Sequence, residues 1–355
     1  MQLLRDFYTG KTVLVTGHTG FKGSWLVELL HTLGARVVGY ALPPEGEPPL
    51  FEVLQLSGRC DPHVIGDVSN LPLLREVVAD TRPDVVFHLA AQSLVRRSYR
   101  EPVGTWAVNT LGTVHLLEAL RSLTKRCAAV VITTDKVYEN PETGTAFAES
   151  DPLGGYDPYS ASKAAAELVV ASYRRSFYTP VGAEPTLCVA SARSGNVIGG
   201  GDTTEDRIVP DFFRALATGQ PLYLRSPTAS RPWQHVLEPL VGYLQLAAGL
   251  YATPERYSKA YNFGPDTRQE ATVEHLVQAA IAQWGSGSYQ SEPEPQGPHE
   301  AQRLQLDSSL AQRELGWQAH YDWQTALGLT LAWHRASDKP ATTQAQIADY
   351  LALLG

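Results

Sequence analysis

The hydrophobic and polar positions of the first half of the chain follow two alternating patterns. Continuous apolar runs, which predict strands buried on both faces of a sheet, lie at residues 12–16, 37–42, 84–89, 128–133 and 186–192. Segments with apolar residues at helical spacing lie between or after them, at residues 24–33, 71–79, 106–121 and 159–178. Strands that alternate with helices in this way predict a doubly wound parallel α/β sheet with helices on both faces.

The alternation becomes weaker beyond about residue 195, where glycine, proline and arginine are frequent in loops. A further apolar run near residues 260–264 predicts one more strand that rejoins the sheet, and the rest of the chain is mostly helical in pattern. We therefore expect a nucleotide-binding domain at residues 1–195. Residues 196–355 are expected to form mainly a smaller mixed α/β lobe that binds the substrate.

Composition and charge argue against several classes of function. The chain has 355 residues, with 29 Lys and Arg against 37 Asp and Glu, a formal charge of −8 and no long block of either sign. This distribution favours neither nucleic-acid nor membrane-surface binding. No apolar run approaches the roughly 20 residues that span a bilayer. Arg5 and Asp6 precede any long apolar segment, which argues against a signal peptide.

The three cysteines, Cys60, Cys127 and Cys188, lie far apart and have no CxxC spacing. Their number and spacing favour neither a disulfide framework nor a metal site, so no metal is expected. Unpaired cysteines are typical of a reducing compartment, and we expect the protein in the cytoplasm.

A glycine-rich segment, TGHTGFKGSW, lies between the first predicted strand and the first predicted helix. Gly17, Gly20 and Gly23 form a GxxGxxG pattern, in which glycine permits a tight turn and lets the backbone approach a pyrophosphate. The amino terminus of the following helix carries a partial positive charge that stabilises the anion. The segment therefore predicts a Rossmann-type dinucleotide site.

The second strand does not end in the acidic residue that usually binds the adenosine ribose. It ends in Tyr40-Ala41-Leu42, and the nearest acidic residue is Glu45. The residues alone therefore leave NAD and NADP open. Asp67 follows the predicted third strand, where its carboxylate either accepts a hydrogen bond from the adenine amino group or caps a helix.

Tyr159 and Lys163 are four residues apart in a predicted helix, which places both on one face. An ammonium beside a phenol stabilises the phenolate, so Lys163 is expected to lower the pKa of Tyr159 from about 10 towards neutral pH. The helix follows the strand that ends in Thr133-Thr134-Asp135. Because ligands of doubly wound sheets bind outside the carboxyl ends of the strands, these side chains are expected to face one cleft.

Seven segments of the chain are similar to the extended short-chain dehydrogenase/reductase family of nucleotide-sugar enzymes. They run from Gly17 to Pro265 in the order of the family and read TGHTGFKGSW, HLAAQSLV, TTDKVYEN, YDPYSASK, SARSGNVIGGGD, RPWQHVLEPL and YNFGP. Within the family the chain resembles the nucleotide-sugar 4,6-dehydratases. The dTDP- and GDP-sugar dehydratases usually carry Asp-Glu where this chain has Asp135-Lys136, which favours the branch that acts on CDP-glucose.

The resemblance implies a redox-neutral elimination of water with tightly held NAD. In such an enzyme Tyr159 takes the proton of the C4 hydroxyl while hydride passes to NAD, Lys163 binds the nicotinamide ribose and Thr134 bonds the C4 oxygen. Asp135 is the expected acid for the C6 hydroxyl, which leaves as water. Lys136 either takes the C5 proton, which requires a neutral amine, or orients Asp135 by charge pairing. Both roles stay open.

The resemblance also implies the binding residues. Those expected to bind NAD are Gly17, His18, Gly20, Phe21, Lys22, Gly23, Asp67, Val68, Leu89, Ala90, Ala91, Tyr159 and Lys163. Those expected to bind the nucleotide sugar are Gln92, Asn196, Arg207 and Arg231. The two arginines suit a diphosphate because a guanidinium donates two parallel hydrogen bonds. His18 replaces the small residue common in such loops and is expected to crowd or contact the pyrophosphate.

In related enzymes, the helices that correspond to residues 106–121 and 159–178 of this chain pair between two subunits and form a four-helix interface. This implies a homodimer, with a tetramer as the alternative. The small residues Ala164, Ala165 and Ala166 either permit the close approach of two subunits or pack against the sheet of their own subunit, and the sequence leaves both open.

Two other functions compete with the dehydratase. A 4-epimerase or sugar dehydrogenase on the same scaffold needs no acid at C6, so Asp135 discriminates against it. A dinucleotide sensor without catalytic activity needs none of Thr134, Tyr159 and Lys163, so their joint presence disfavours it.

Overall fold

A parallel β-sheet forms the centre of the first lobe. The structure is a computed structural model and describes residues 1–178, 186–266, 270–291 and 303–355. Its strands in these ranges are β1 (Thr12–Thr16), β2 (Arg36–Ala41), β3 (Cys60–Ile65), β4 (Val85–His88), β5 (Cys127–Ile132), β6 (Leu187–Ser194), β7 (Val197–Ile198), β8 (Leu222–Leu224), β9 (Ser230–Arg231), β10 (Gln234–His235), β11 (Ala260–Phe263), β12 (Ala271–Thr272) and β13 (Tyr289–Ser291). The large sheet has the order β11-β6-β5-β4-β1-β2-β3, and all its pairings are parallel. The predicted doubly wound α/β fold is confirmed.

The chain extends this sheet in two directions from β1. β2 and β3 lie on one side of β1, while β4, β5, β6 and β11 lie on the other. The crevice between β1 and β4 is therefore the topological switch point, where ligands bind in sheets of this kind. The glycine-rich loop follows β1 and residues 89–92 follow β4, so both predicted cofactor segments lie at this crevice.

Helices cover both faces of the sheet and form much of the second lobe. Those in the described ranges are α1 (Gln2–Tyr8), α2 (Phe21–Thr32), α3 (Leu50–Val53), α4 (Leu71–Thr81), α5 (Val95–Arg100), α6 (Pro102–Trp106), α7 (Gly112–Leu120), α8 (Pro158–Phe177), α9 (Ile208–Thr218), α10 (Leu237–Ala252), α11 (Pro254–Tyr257), α12 (Val273–Trp284), α13 (Ser309–Leu315), α14 (Trp323–Arg335) and α15 (Lys339–Ala352). Short 3₁₀ turns occur at Leu56–Arg59 and Asp135–Val137. The predicted helix at residues 106–121 is composite, because a π-helical turn at Ala107–Leu111 joins α6 to α7.

The π-helical turn positions Asn109, a buried residue that links two parts of the cleft. The Asn109 amide nitrogen donates to the Gln92 carbonyl at 3.0 Å and to the Ser162 hydroxyl at 2.9 Å. Its amide oxygen accepts from the Gln92 backbone nitrogen at 2.9 Å. These bonds fix the segment after β4 against α8, which carries Tyr159 and Lys163.

Alternate residues of each central strand pack on opposite faces of the sheet. In β1, Val13 and Val15 join a core with α2 and α10, whereas Leu14 joins a core with α4 and α7. A third core lies in the second lobe between α9, α12 and α14. The division of the chain at residue 195 stays a prediction. Among the described helices, none combines the length and apolar character that a membrane span requires.

Candidate active site

A cleft of about 990 Å³ lies at the carboxyl ends of β1, β4, β5 and β6 and extends along loops of the second lobe. The predicted site residues that line it are Gly17, Gly20, Phe21, Lys22, Gly23, Asp67, Val68, Leu89, Ala90, Ala91, Gln92, Thr134, Asp135, Lys136, Tyr159, Lys163, Asn196, Arg207 and Arg231. The structure thus brings together every predicted site residue except His18. The volume lies at the upper end of ordinary ligand sites, as two adjacent ligands require.

The glycine-rich loop has the geometry of a pyrophosphate cradle. Gly17 has a φ of +75°, and a Cβ at this position would lie 2.7 Å from the Ala90 backbone nitrogen. A Cβ at Gly23 would overlap the Gly17 carbonyl oxygen. Gly20 is the N-cap of α2, so the amino terminus of that helix faces the cleft without an intervening side chain.

The side chain of His18 lies under the loop and not in the cleft, which corrects the expected contact with the pyrophosphate. It is fully buried, and its Nε2 atom lies 2.7 Å from Nδ1 of His63. The ring packs against the face left open by Gly39 and edge-on to Phe51. Burial, followed by the neighbouring His63, lowers the pKa of His18 to about 4. The buried, neutral imidazole of His18, in contact with the partly exposed His63, therefore supports the loop from below.

Asp67 does not cap a helix. The N-cap of α4 is Asn70, whose side chain accepts from the Leu73 backbone nitrogen at 3.2 Å. The Asp67 carboxylate accepts instead from the Ser69 backbone nitrogen at 2.7 Å. The helix-capping alternative is wrong, and the expected bond from Asp67 to an adenine amino group stays a prediction.

The residues after β5 form a short polar turn at the strand end. The Thr134 hydroxyl donates to Oδ1 of Asp135 at 2.9 Å, and the Lys136 ammonium lies 3.3 Å from the same oxygen. Asp135 is fully buried, and its Oδ2 atom has no hydrogen-bond partner within the described residues. A buried oxygen without a partner is costly. Oδ2 of Asp135 is therefore the atom of this turn that is available for proton transfer.

Tyr159 lies in the first turn of α8, which begins sharply. Asp157 caps the helix by accepting from the Ser160 backbone nitrogen at 3.0 Å, and Pro158 occupies the first helical position. Burial raises the pKa of Tyr159 to about 12, whereas its hydrogen bond with Thr134 opposes this shift. The predicted lowering of the Tyr159 pKa by its lysine neighbour is wrong in this structure, because desolvation of the phenol dominates.

The Lys163 side chain extends from α8 to the end of β5. Its ammonium donates to the Ile132 carbonyl at 3.0 Å, and the side chain is buried. Burial lowers the pKa of Lys163 to about 8, while the nearby Glu167 carboxylate raises it. Glu167 therefore stabilises the protonated ammonium in a site that otherwise disfavours charge.

Glu167 is a buried structural carboxylate that the sequence interpretation did not single out. It accepts hydrogen bonds from the hydroxyls of Thr133 and Ser191, both at 2.6 Å, and pairs with Arg193 at 3.0 Å. These partners join α8 to β5 and β6 behind the reacting groups. The sequence feature that could have identified Glu167 is its spacing, since it follows Lys163 by one helical turn.

Lys22 adds a second ammonium to the same region. It donates to the Ser194 hydroxyl at 2.8 Å and lies 3.4 Å from the Tyr243 hydroxyl. Burial lowers the pKa of Lys22 to about 7, and the positive charge of Arg207 lowers it further, whereas Asp135 raises it. Lys22, in the first turn of α2, thus places an amino group near the acid of the β5 turn.

The predicted substrate residues lie at the second-lobe side of the cleft. Arg207 pairs with Asp202 at 3.1 Å and donates to the Ser93 hydroxyl at 3.3 Å. Arg231 is buried and donates to the Ser230 carbonyl at 3.0 Å. The buried amide oxygen of Asn196 has no hydrogen-bond partner within the described residues, which is typical of a group that binds a ligand.

Gln92 differs from the other expected substrate residues. Its amide nitrogen donates to the Leu94 carbonyl at 3.1 Å and to the Thr105 hydroxyl at 2.9 Å, and its amide oxygen accepts from the Leu94 backbone nitrogen at 2.6 Å. The side chain is therefore held by its own loop and by α6. Contact between Gln92 and a substrate stays a prediction.

Comparison with known proteins places the chain in one family. Residues 14–329 match the family model described as GDP-mannose 4,6 dehydratase. The chain belongs to this family. It is 44% identical over 352 residues to the CDP-glucose 4,6-dehydratase of Salmonella typhimurium, with 98% of both chains covered. The resemblance to nucleotide-sugar enzymes of the extended short-chain dehydrogenase/reductase family is thus confirmed.

Two further relatives extend the comparison. The dTDP-glucose 4,6-dehydratase of Streptomyces griseus is 31% identical, with 91% of this chain and 93% of that protein covered. The dTDP-glucose 4,6-dehydratase of Streptomyces venezuelae, whose solved structure contains NAD, matches with a TM-score of 0.77 at 26% identity. That match covers 91% of this chain and 97% of the solved chain. The 4,6-dehydratase relatives thus span nearly the whole chain.

Proposed function

We propose that the protein converts CDP-D-glucose to CDP-4-keto-6-deoxy-D-glucose and water, with internal transfer of hydride from C4 to C6 through bound NAD. The observation that carries this proposal is the convergence of Thr134, Asp135 and Lys136 with Tyr159 and Lys163 in one cleft. The 44% identity to a CDP-glucose 4,6-dehydratase over 98% of the chain supports the choice of reaction and nucleotide.

The cofactor is NAD, which fits the cradle formed by Gly17, Gly20 and Gly23 at the start of α2. The backbone there would hold the pyrophosphate, Asp67 the adenine and Lys163 the nicotinamide ribose. When bound, NAD accepts a hydride from the sugar and returns it, so that the reaction consumes no oxidant. Its positively charged nicotinamide would also favour ionisation of the nearby Tyr159 phenol, against the effect of burial.

The first proton transfer takes place at C4 of the sugar. Tyr159 accepts the proton of the C4 hydroxyl, and the bond between that carbon and its hydrogen breaks with loss of hydride. Thr134, which lines the cleft with Tyr159, would hold the C4 oxygen in place. Lys163 keeps its ammonium near the phenolate that this step requires. The product of the step is a ketone at C4, which makes the hydrogen on C5 acidic.

Water leaves in the second stage. A base removes the C5 proton, and Oδ2 of Asp135 gives a proton to the C6 hydroxyl, so that the bond from C6 to oxygen breaks and water departs. The hydride that the bound cofactor would return adds to C6, and the base gives its proton back to C5, which completes the 4-keto-6-deoxy sugar. Tyr159 then releases the proton from the C4 hydroxyl to solvent and Asp135 takes one up, so that the site is restored. The Lys136 ammonium lies 3.3 Å from Oδ1 of Asp135, and this contact supports the orienting role of Lys136.

The decisive experiment uses CDP-glucose labelled with deuterium at C4. We expect a keto product in which the deuterium lies at C6, while a 4-epimerase would return it to C4. Parallel reactions with dTDP-, GDP- and UDP-glucose test the nucleotide. Preference for dTDP-glucose would contradict the CDP assignment, and product without deuterium at C6 would contradict the dehydratase mechanism.

The protein is further proposed to act in the cytoplasm as a homodimer, with a tetramer as the alternative. Large apolar side chains on the helices expected to form the interface are exposed: Val103, Trp106, Leu111, Leu168 and Phe177. Ala164 and Ala166 are buried within their own chain, so of the three alanines Ala165 stays available for a subunit contact. Light scattering of the protein and its Leu168→Glu variant tests the interface, and an unchanged dimer in the variant would contradict it.

A further inference from the structure

A cluster of opposite charges lies along the cleft near the second-lobe loops and has no role in the reaction described above. Oδ1 of Asp206 lies 2.7 Å from Arg225 and 3.8 Å from Arg96. The three side chains are half-buried and line the cleft. Arg96 belongs to α5, whereas Arg225 follows β8, so the pair of arginines approaches Asp206 from two sides.

The backbone at Asp206 is unusual. Its φ is +59°, in the left-handed region that residues other than glycine seldom adopt. Aspartate and asparagine tolerate this conformation better than most residues do. Such conformations are frequent at ligand sites, where the surrounding structure holds them in place.

Arg207 is next to Asp206 in the chain, and both line the cleft. The charge of Arg207 influences the pKa of both Lys22 and Tyr159, which places Arg207 near the reacting groups. A nucleotide sugar with its glucose at Tyr159 and its diphosphate near Arg207 would therefore direct its nucleoside towards Asp206.

We propose, on the basis of the proposed function, that Asp206 and Arg225 recognise the Watson–Crick edge of cytosine and select CDP-glucose over UDP- and dTDP-glucose. Cytosine presents an amino donor at N4 followed by acceptors at N3 and O2. Asp206 accepts from the N4 amino group, and Arg225 donates to N3 and O2. Uracil and thymine place an oxygen where cytosine has N4, so the Asp206 carboxylate repels them.

A carboxylate suits a base at this position better than it suits a phosphate. Asp206 would repel the negative charge of a diphosphate, but it complements an amino group. Tyr223 and Arg225 both line the cleft, while Leu222 and Leu224, on the opposite face of β8, join the core of the second lobe. The exposed phenol ring of Tyr223 lines the cleft and offers an aromatic surface for a pyrimidine.

The Asp206→Asn variant tests the inference. Asparagine keeps the left-handed turn, but its amide can donate to the O4 atom of uracil. Calorimetry with CDP and UDP on the NAD-loaded protein gives the ratio of their affinities without turnover. We expect the preference for CDP to fall at least about tenfold in the variant. Asp61→Asn, which removes an exposed pair with Arg36 outside the cleft, should leave the ratio unchanged.

The results separate this inference from the proposed function. A CDP-to-UDP ratio that is the same in Asp206→Asn and the parent protein overturns base recognition, including the case in which both affinities fall together. A parent protein without preference for CDP also overturns it. If the ratio falls as expected but CDP-glucose yields no keto product, base recognition by Asp206 stands and the proposed dehydration fails.

Discussion

The ammonium of Lys163 donates a hydrogen bond to the carbonyl oxygen of Ile132, the last residue of β5, at 3.0 Å. This contact ties α8 to the strand whose next residues form the Thr134-Asp135 turn. Tyr159 precedes Lys163 by one helical turn, so the same contact holds the phenol beside that turn. The acid, the base and the ammonium thus share one rigid frame of helix and strand.

Replacement of Tyr159 by phenylalanine tests the proton transfer at C4. The change removes the hydroxyl that accepts the proton and leaves the ring in place, so kcat should fall by about 10²- to 10⁴-fold with little effect on stability. Keto-product formation from CDP-glucose measures the loss. Tyr173→Phe is the matched control on the same helix, because the Tyr173 hydroxyl bonds Glu118 outside the cleft. Equal activity of Tyr159→Phe and the parent protein would exclude Tyr159 as the base.

The Asp135→Asn variant separates oxidation at C4 from loss of water. The amide cannot donate an acidic proton to the C6 hydroxyl, so elimination should slow by about 10²-fold or more, whereas oxidation at C4 continues. Mass spectrometry of quenched reactions should detect a 4-keto hexose nucleotide that retains the C6 oxygen. Deoxygenated product at the normal rate would mean that another group supplies the proton.

The sequence predicted those parts of the molecule that depend on local pattern. The apolar run at residues 260–263 corresponds to β11, and the Thr134-Asp135 turn lies at the end of a buried strand as expected. The π-helical turn at Ala107–Leu111 could not be predicted, because a single turn within a longer helix is too short to show a spacing of its own. The orientation of His18 depends on Gly39 and His63, which are distant in sequence.

The pKa of Tyr159 also could not be predicted from the local sequence pattern. The spacing to Lys163 placed an ammonium one turn away, but it could not give the degree of burial of the phenol. Burial depends on the packing of the whole cleft and outweighs the charge of a single neighbour.

Glu167→Gln should affect both stability and the pH dependence of activity. The variant leaves the Arg193 guanidinium buried without its charge partner, which should lower the free energy of unfolding by about 3–5 kcal/mol. It should also lower the pKa of Lys163, since Glu167 raises that pKa. Activity should fall at high pH as the Lys163 ammonium deprotonates. In Glu167→Gln this fall should therefore begin at a lower pH than in the parent protein.

Denaturant unfolding and a pH profile of kcat measure the two effects of Glu167→Gln. Asp61→Asn is the surface control, because its exposed pair with Arg36 should contribute less than about 1 kcal/mol. A purely structural role of Glu167 would lower stability and leave the pH profile in place. That outcome would contradict its influence on Lys163.

Glu238 should make the protein less stable as the pH rises. Its fully buried carboxylate accepts hydrogen bonds from the Tyr350 hydroxyl at 2.5 Å and from the backbone nitrogens of His320 and Tyr321. Burial nevertheless raises its pKa from 4.5 to about 7. The folded protein therefore binds more protons than the unfolded chain between these values. The contribution of Glu238 to the free energy of unfolding falls across this window by at most about 3 kcal/mol and is level above pH 7.

Glu238→Gln removes this titration while its amide oxygen can still accept from the backbone of residues 320 and 321. The stability of the variant relative to the parent protein should therefore be higher at pH 8 than at pH 5. Denaturant unfolding of both proteins at the two pH values measures this double difference, in which the titration of all shared groups cancels. An equal difference at both pH values would mean that Glu238 stays ionised throughout, with its three hydrogen bonds outweighing the cost of burial.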